Sequence, residues 1–253
     1  MKRIVLVAAV LAACFFAVST AQAASLGVKA MLWYPKVTGD IRVKSTLASG
    51  TDMDFADDLG LDSELVPAGE AFLSAGRHRL SATFTRLNFT GTATLKHNAV
   101  FAGKTIPKGT EMETELDWPM LDLEYSYDIV KFDTILAGLS LSGVGRIKFM
   151  DATTSLTIKG KEISSSFKPT VPMLGLAAHL DILAGILAAD VKATGMTYSN
   201  NTLVDATAEV LVTPLPFVGI SAGYRYLITK VDYDDTITDP TFDGFYAMLR
   251  IAF

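Results

Sequence analysis

The chain of 253 residues contains a single cysteine, Cys14, close to its N-terminus. Charged residues are also scarce, because Asp, Glu, Lys and Arg make up 19% of the chain, against the ~25% usual in soluble domains. Half of the chain is apolar, yet beyond the N-terminus no apolar run reaches the ~20 residues of a transmembrane helix. The apolar residues are therefore dispersed, which favours alternation along strands over spanning helices.

The N-terminus has the features of a cleavable signal peptide. These are a basic dipeptide, an apolar stretch and a small-x-small cleavage site: Lys2-Arg3, Ile4–Val18 and Ala21-Gln22-Ala23. We predict a signal peptide over 1–23 and one domain over 24–253. The alternative, a lipoprotein signal in which Cys14 becomes the lipidated N-terminus, is disfavoured because the apolar run continues past it. The mature chain then has no cysteine, which excludes a disulfide scaffold and thiol catalysis.

The mature chain is acidic. Loss of Lys2 and Arg3 takes the formal net charge from −5 to −7. An acidic exported protein is a poor candidate for nucleic-acid binding.

From residue 24 the sequence alternates with period two between turn signals, which predicts strands. We predict ten, over 26–37, 66–76, 78–91, 112–128, 134–150, 168–182, 186–198, 203–213, 217–231 and 242–253. Long and short connections alternate, as in closed antiparallel transmembrane β-barrels. The fold class is therefore all-β. Eight or twelve strands are the alternatives, because 151–167 and the loop at Asn200 can be divided in more than one way.

The final strand carries an apolar stripe that ends in the C-terminal phenylalanine. The stripe consists of Phe245, Ala247, Leu249, Ile251 and Phe253. It resembles the signal that the outer-membrane assembly machinery reads, and Phe245, Leu249, Ile251 and Phe253 are its candidate residues.

Residues 24–253 resemble small Gram-negative outer-membrane β-barrel proteins of eight to ten strands. The resemblance is carried by this stripe, by the preceding signal peptide and by the Asp57–Leu61 element of the first long loop. The resemblance implies an integral membrane barrel with a lumen packed by side chains. It also implies contact with outer-membrane lipids and lipopolysaccharide, and dependence on the assembly machinery during biogenesis. No cofactor is expected.

Alternation places the charged side chains of the strands in the lumen of such a barrel. The expected basic residues are Lys29, Arg79, Arg86, Arg146, Lys148, Lys192, Arg225 and Arg250. The expected acidic residues, with one histidine, are Glu70, Asp122, Glu124, His179, Asp181, Asp190, Asp205 and Glu209. Opposite charges on neighbouring strands can pair, and charges in a narrow interior must do so.

Aromatic residues are expected in two outward bands at the membrane boundaries. The first band lies toward the long loops and the second toward the short turns: Tyr34, Phe89, Phe149, Tyr198 and Phe245, then Tyr125, Tyr127, Phe217 and Phe253. Two predicted strands, 78–91 and 112–128, change phase midway, the second around Pro119. We expect a β-bulge in each; the alternative is that their outer halves rise above the membrane.

The three histidines are the candidates for a catalytic base. His78 adjoins a short turn, and His97 lies in a long loop, where with nearby acids it could imitate the Asp and His groups of omptin proteases. His179 lies two residues before Asp181 and could act with it as an oriented base. Membership of the lumen charge network is the favoured interpretation of His179, so we predict no catalytic residues.

The first long loop is rich in acids: Asp52, Asp54, Asp57, Asp58, Asp62 and Glu64. The first four are weak candidate ligands for a hard cation such as Ca²⁺. Their spacing lacks the EF-hand pattern, and a solvated surface loop is the favoured interpretation.

The sequence therefore predicts an outer-membrane structural or surface-interaction protein without catalysis. The first alternative is a narrow passive channel for small solutes. The second is a lipid-modifying enzyme, a lipid A or phospholipid hydrolase centred on His179.

Overall fold

A computed structural model describes residues 24–43, 50–134, 136–183, 185–199, 201–233 and 236–253. These residues form seventeen strands: β1 (Ala24–Thr38), β2 (Asp40–Val43), β3 (Met53–Asp54), β4 (Val66–Ala75), β5 (His78–Thr94), β6 (Ala99–Phe101), β7 (Lys104–Ile106), β8 (Glu111–Asp133), β9 (Ala137–Met150), β10 (Ala152–Ile158), β11 (Lys161–Phe167), β12 (Thr170–Ile182), β13 (Leu187–Tyr198), β14 (Asn201–Leu215), β15 (Val218–Tyr233), β16 (Thr236–Thr238) and β17 (Thr241–Ala252). Within those ranges, no helix is both long and apolar enough to cross a membrane.

Ten of the strands close into an antiparallel barrel. Their order is β1, β4, β5, β8, β9, β12, β13, β14, β15 and β17, and β17 returns to pair with β1. The predicted fold class and strand number are therefore confirmed. The predicted signal peptide, residues 1–23, lies outside the described residues.

The short turns and the long connections lie at opposite ends of the barrel, which we name the turn end and the loop end. At the loop end, β10 and β11 extend the β9–β12 hairpin, since Phe149 pairs with Thr170 and Ala152 with Phe167. Residues 151–167 thus lengthen one hairpin and add no strand to the barrel wall. A small sheet of β16, β2 and β3 and the β6–β7 hairpin lie at the same end.

The outward face of the barrel is apolar over its turn-end half. It exposes side chains that alternate with lumen-facing ones, among them Leu26, Val28, Leu32, Leu141, Ile147, Leu174, Leu176, Leu180, Val191, Val210, Ile220 and Leu249. A water-soluble barrel would turn this set inward, because exposed apolar patches of that extent are rare on soluble proteins. The arrangement is that of a barrel surrounded by lipid.

The loop-end half of the interior is a hydrophobic core instead. Trp33, Leu87, Phe89, Trp118 and Phe242 are at most 2% exposed. The ring of Phe242 stacks on Phe89 with 5.8 Å between centroids and meets Trp118 edge-on at 5.6 Å. Connecting segments add further buried side chains: Phe55, Leu59, Leu95, Phe101 and Ile106. Together these residues fill the loop-end half of the barrel interior, and we name them the apolar plug.

The expected bulges in 78–91 and 112–128 are wrong. Strands β5 and β8 pair continuously from His78 to Thr94 without a register shift, and the shift of β8 against β9 lies between Asp128 and Val130. The phase change instead marks the height at which the apolar face moves from the outside to the inside. Phe89 is consequently buried in the plug, which corrects its expected place in the aromatic band.

Candidate functional site

A buried ionic cluster lies directly beneath the apolar plug. Asp205 of β14 is its shared acceptor and is 2% exposed. Its Oδ2 accepts from Arg146 Nη1 at 2.8 Å and from Lys148 Nζ at 3.2 Å. Arg225 donates from Nε to Oδ1 at 3.0 Å and from Nη2 to Oδ2 at 2.8 Å. One carboxylate thus joins three cations from two other strands of the wall.

The remaining partners of the ionic cluster come from β8 and β13. Glu124 accepts from Arg146 at 2.5 and 2.8 Å and from Lys192 Nζ at 2.8 Å, while Asp122 accepts from Lys148 at 2.8 Å. Asp122 and Glu124 are the direct cross-strand neighbours of Lys148 and Arg146. Alternation put these four side chains on one face, and their register on β8 and β9 explains why they pair.

His179 of β12 lies nearer the turn end, between two carboxylates. Its Nδ1 is 2.7 Å from Asp190 Oδ1 on β13, and its Nε2 is 3.0 Å from Asp181 Oδ2. Both ring nitrogens must carry a proton to donate to both acids, so this geometry suits the imidazolium. A doubly donating ring has no lone pair with which to accept a proton from a nucleophile, as a general base must.

A third group surrounds Phe72 of β4. Glu70 Oε1 is 3.4 Å from Lys29 Nζ and 3.1 Å from Arg79 Nη2. The Arg79 guanidinium stacks on the Phe72 ring at 3.9 Å from its centroid, and Arg250 lies 5.4 Å from the same centroid. Three cations therefore cluster around one ring and one carboxylate.

A cavity of about 390 Å³ connects these groups. It is lined by Arg146, Asp205 and Arg225 and reaches Gly76 and Asp133 at the turn end. Its lining extends from the ionic cluster to the short turns and includes none of the aromatic residues of the plug. We name this cavity the vestibule; its lining runs from the short turns to the ionic cluster.

The structure brings nearly all the predicted lumen residues to this vestibule or to the cluster above it. These are Lys29, Glu70, Asp122, Glu124, Arg146, Lys148, His179, Asp181, Asp190, Lys192, Glu209, Arg225 and Arg250. Arg86 is the exception, and its predicted place in the lumen is wrong. It lies exposed on the outer face, where its Nε and Nη2 donate to Asp117 at 2.8 and 2.9 Å, because the outward face of β5 is polar at that height.

Two polar contacts of the vestibule were not expected from the sequence. Tyr246 donates its hydroxyl to Glu209 at 2.8 Å, and Ser142 donates to Asp128 at 2.7 Å. Alternation of the final strand did place Tyr246 opposite the apolar stripe, which was the available signal. The stripe itself lies outward, with Phe245 and Phe253 more than 70% exposed.

The acids of the first long loop have partners within the protein. Asp52 pairs with Arg42, and Asp54 accepts the backbone N–H groups of Ala56 and Asp57 at 2.8 and 2.6 Å. Asp57 accepts from Lys96 at 3.1 Å. Among the described residues, no group of three or more His, Cys, Asp or Glu side chains is arranged to hold a metal ion.

In the described part of the chain, each of the other two histidines lies near a polar side chain. His97 Nδ1 lies 3.7 Å from Asp58 Oδ1 at the loop end. His78 Nδ1 lies 2.7 Å from the Tyr125 hydroxyl at the turn end.

No protein family and no curated protein matches the sequence. Solved structures do match the fold. The chain is similar to the outer membrane protease OmpT from Escherichia coli, with a TM-score of 0.53 and 10% identity over 90% of this chain and 97% of that one. It is also similar to Neisserial surface protein A, with a TM-score of 0.40 and 16% identity over 91% and 99% of the two chains. The likeness to OmpT shows the fold alone.

Proposed function

We propose that this chain, a small outer-membrane β-barrel by its fold, is a closed structural or surface-interaction protein without catalysis. The observation that carries the proposal is the filled interior. A solute entering from the turn end would meet the Asp205 cluster and then the apolar plug, in which Trp118, Phe89 and Phe242 are buried. Ligands would then be engaged by the loop end rather than by passage through the lumen.

The ionic cluster supports closure because its groups are held on several sides. Lys148 is fully buried and Arg146 is 6% exposed, and both donate to carboxylates on neighbouring strands. Opening a path would separate buried charges from their partners, which costs several kcal/mol for each group left unpaired. A narrow channel is therefore the less favoured alternative.

The outward surface supports a membrane location. Its apolar belt matches a lipid environment, and the exposed stripe that ends at Phe253 fits a role in assembly. We infer export across the periplasm, insertion by the assembly machinery, and contact with outer-membrane lipids and lipopolysaccharide. The acid-rich loop end would face the lipopolysaccharide headgroups.

The absence of catalysis is supported by the arrangement of His179. Both of its ring nitrogens face carboxylates, at 2.7 and 3.0 Å. A lipid hydrolase would need one of those nitrogens to receive a proton from a serine or from water.

Planar-bilayer recording of the refolded protein tests closure. We expect no stable steps of open-channel current from the folded barrel. Protein unfolded by boiling is the control and should give the same flat current trace. Stable, reproducible steps that require the folded state would overturn the proposal in favour of the channel.

A further inference from the structure

We propose that the vestibule binds a small soluble oxyanion, a phosphate- or carboxylate-bearing solute that enters from the turn end, at Lys29, Arg79 and Arg250. This site is separate from the closure proposed above and does not depend on it. A barrel that conducts could still bind the anion, and a closed barrel could fail to bind it.

The first observation is a pair of like charges directly opposite each other. Lys29 of β1 and Arg250 of β17 are cross-strand partners and both point into the lumen. Like charges in directly opposed positions destabilise a sheet, so this pair needs a compensating negative charge.

The second observation concerns the ion pairs that these cations form. Glu70 uses one oxygen, Oε1, for both Lys29 and Arg79. No ion pair to Arg250 forms within the described part of the chain, although its guanidinium lies over Phe72. Glu70 thus pairs with two of the three cations, and Arg250 has no ion pair of its own among the described residues.

The next carboxylates already have other partners. Asp190 and Glu209 face Arg250 from β13 and β14. Asp190 is held by His179 at 2.7 Å, and Glu209 accepts from the hydroxyl of Tyr246 at 2.8 Å. Neither carboxylate forms an ion pair with Arg250 in the described part of the chain.

The cations are also held in place before any ligand arrives. Phe72 is 2% exposed, and its ring fills the space beside Gly27, where an added Cβ would lie 2.4 Å from the ring. Arg79 stacks on that ring at 3.9 Å, and such cation–π contacts fix the plane of a guanidinium. Flat guanidinium groups presented this way match the oxygen pairs of phosphate and carboxylate.

The site can be reached from solvent at the turn end. Arg250 lines the main cavity and also a pocket of about 270 Å³ that is bounded by the turn residues Gly185, Pro216 and Phe217. The main cavity of about 390 Å³ lies in the range of small-molecule sites, so phosphate and its small esters would fit.

Titration with inorganic phosphate tests the site. Refolded protein in maltoside detergent at low salt is followed by calorimetry and by the phosphorus NMR linewidth. We expect saturable binding to the wild-type protein and a dissociation constant raised about ten-fold or more by Arg250→Gln. Phosphate should raise the unfolding temperature of the wild-type protein and have little effect on that of the variant.

Arg86→Gln is the matched control, because Arg86 lies on the outer face with Asp117 and should leave phosphate binding unchanged. Wild-type protein that binds no phosphate, or an Arg250→Gln variant that binds it as well as wild type, would overturn the site. Without phosphate, Arg250→Gln should fold about as stably as wild type, since it removes both the repulsion from Lys29 and the attraction of Asp190 and Glu209.

The same titration in nanodiscs identifies the source of the anion. Equal phosphate affinity in phosphatidylcholine and phosphatidylglycerol discs supports a soluble solute. Phosphate binding that is lost when phosphatidylglycerol is present would assign the site to lipid headgroups and overturn the proposed solute.

Discussion

The two halves of the barrel interior are built in opposite ways on the same strands. On β5, Arg79 and Thr83 face the vestibule, and Leu87 and Phe89, on the same face of the strand, fill the plug. What changes between the halves is the surroundings. The turn-end half is surrounded by lipid, so its apolar side chains face outward and its charged side chains face the lumen. The loop-end half is surrounded by water, so its polar side chains face outward and its apolar side chains pack in the interior.

The two halves should also respond differently to mutation. The apolar plug is stabilised by burial, so removing part of a side chain removes a proportionate share of that stability. The ionic cluster depends on matched partners, and removing one carboxylate leaves several buried cations without compensation. The largest single effect is therefore expected among the charges.

Asp205→Ala should have that largest effect. It removes the acceptor shared by Arg146, Lys148 and Arg225, and the expected loss of unfolding free energy is about 3–5 kcal/mol. Urea unfolding in lipid vesicles, followed by the fluorescence of the two tryptophans, measures it. Asp117→Asn, which breaks an ion pair on the outer face, is the control, and equal losses from both would contradict the central role of the cluster.

Leu87→Ala should destabilise the plug by about 2–5 kcal/mol, through lost burial and the cavity left behind. Leu87 is fully buried, although it lies on the same strand as Arg79, which lines the vestibule. The same unfolding assay applies, with Leu80→Ala as the control because Leu80 faces outward at the turn end. A loss for Leu87→Ala no larger than the control's would show that the plug is loosely packed.

Much of this architecture could be predicted from the sequence, and the parts that could not have two physical causes. Alternation predicted the ten strands, the outward stripe ending at Phe253 and most of the lumen charges, because side-chain direction has a strict period of two. Arg86 and Phe89 were misplaced because the height at which lipid gives way to water is not encoded in that period. The sharing of Asp205 among three cations depends on the register of strands that are distant in sequence.

His179→Gln should have a smaller effect than either core substitution. Asp181 and Asp190 would lose the cation between them, but both are about one-third exposed, so water can replace part of the interaction. We expect a loss of roughly 1–2 kcal/mol. Lipid A and phospholipid profiles of overexpressing cells should be the same for wild type, His179→Gln and empty vector; products present only with wild type would support the hydrolase.

Arg86→Gln should have the smallest effect, about 0–1 kcal/mol, as expected for an exposed ion pair. This variant tests whether the Arg86 side chain points outward from β5 or into the lumen. If Arg86 pointed into the lumen, its removal would leave a buried carboxylate unpaired and would be as damaging as changes to the ionic cluster. Because it pairs with Asp117 in water instead, the unfolding free energy of Arg86→Gln should match that of Asp117→Asn, and the double variant should differ little from either. A loss of several kcal/mol for Arg86→Gln alone would mean that Arg86 faces the lumen. The lipid–water boundary on β5 would then lie at a different height from the one described.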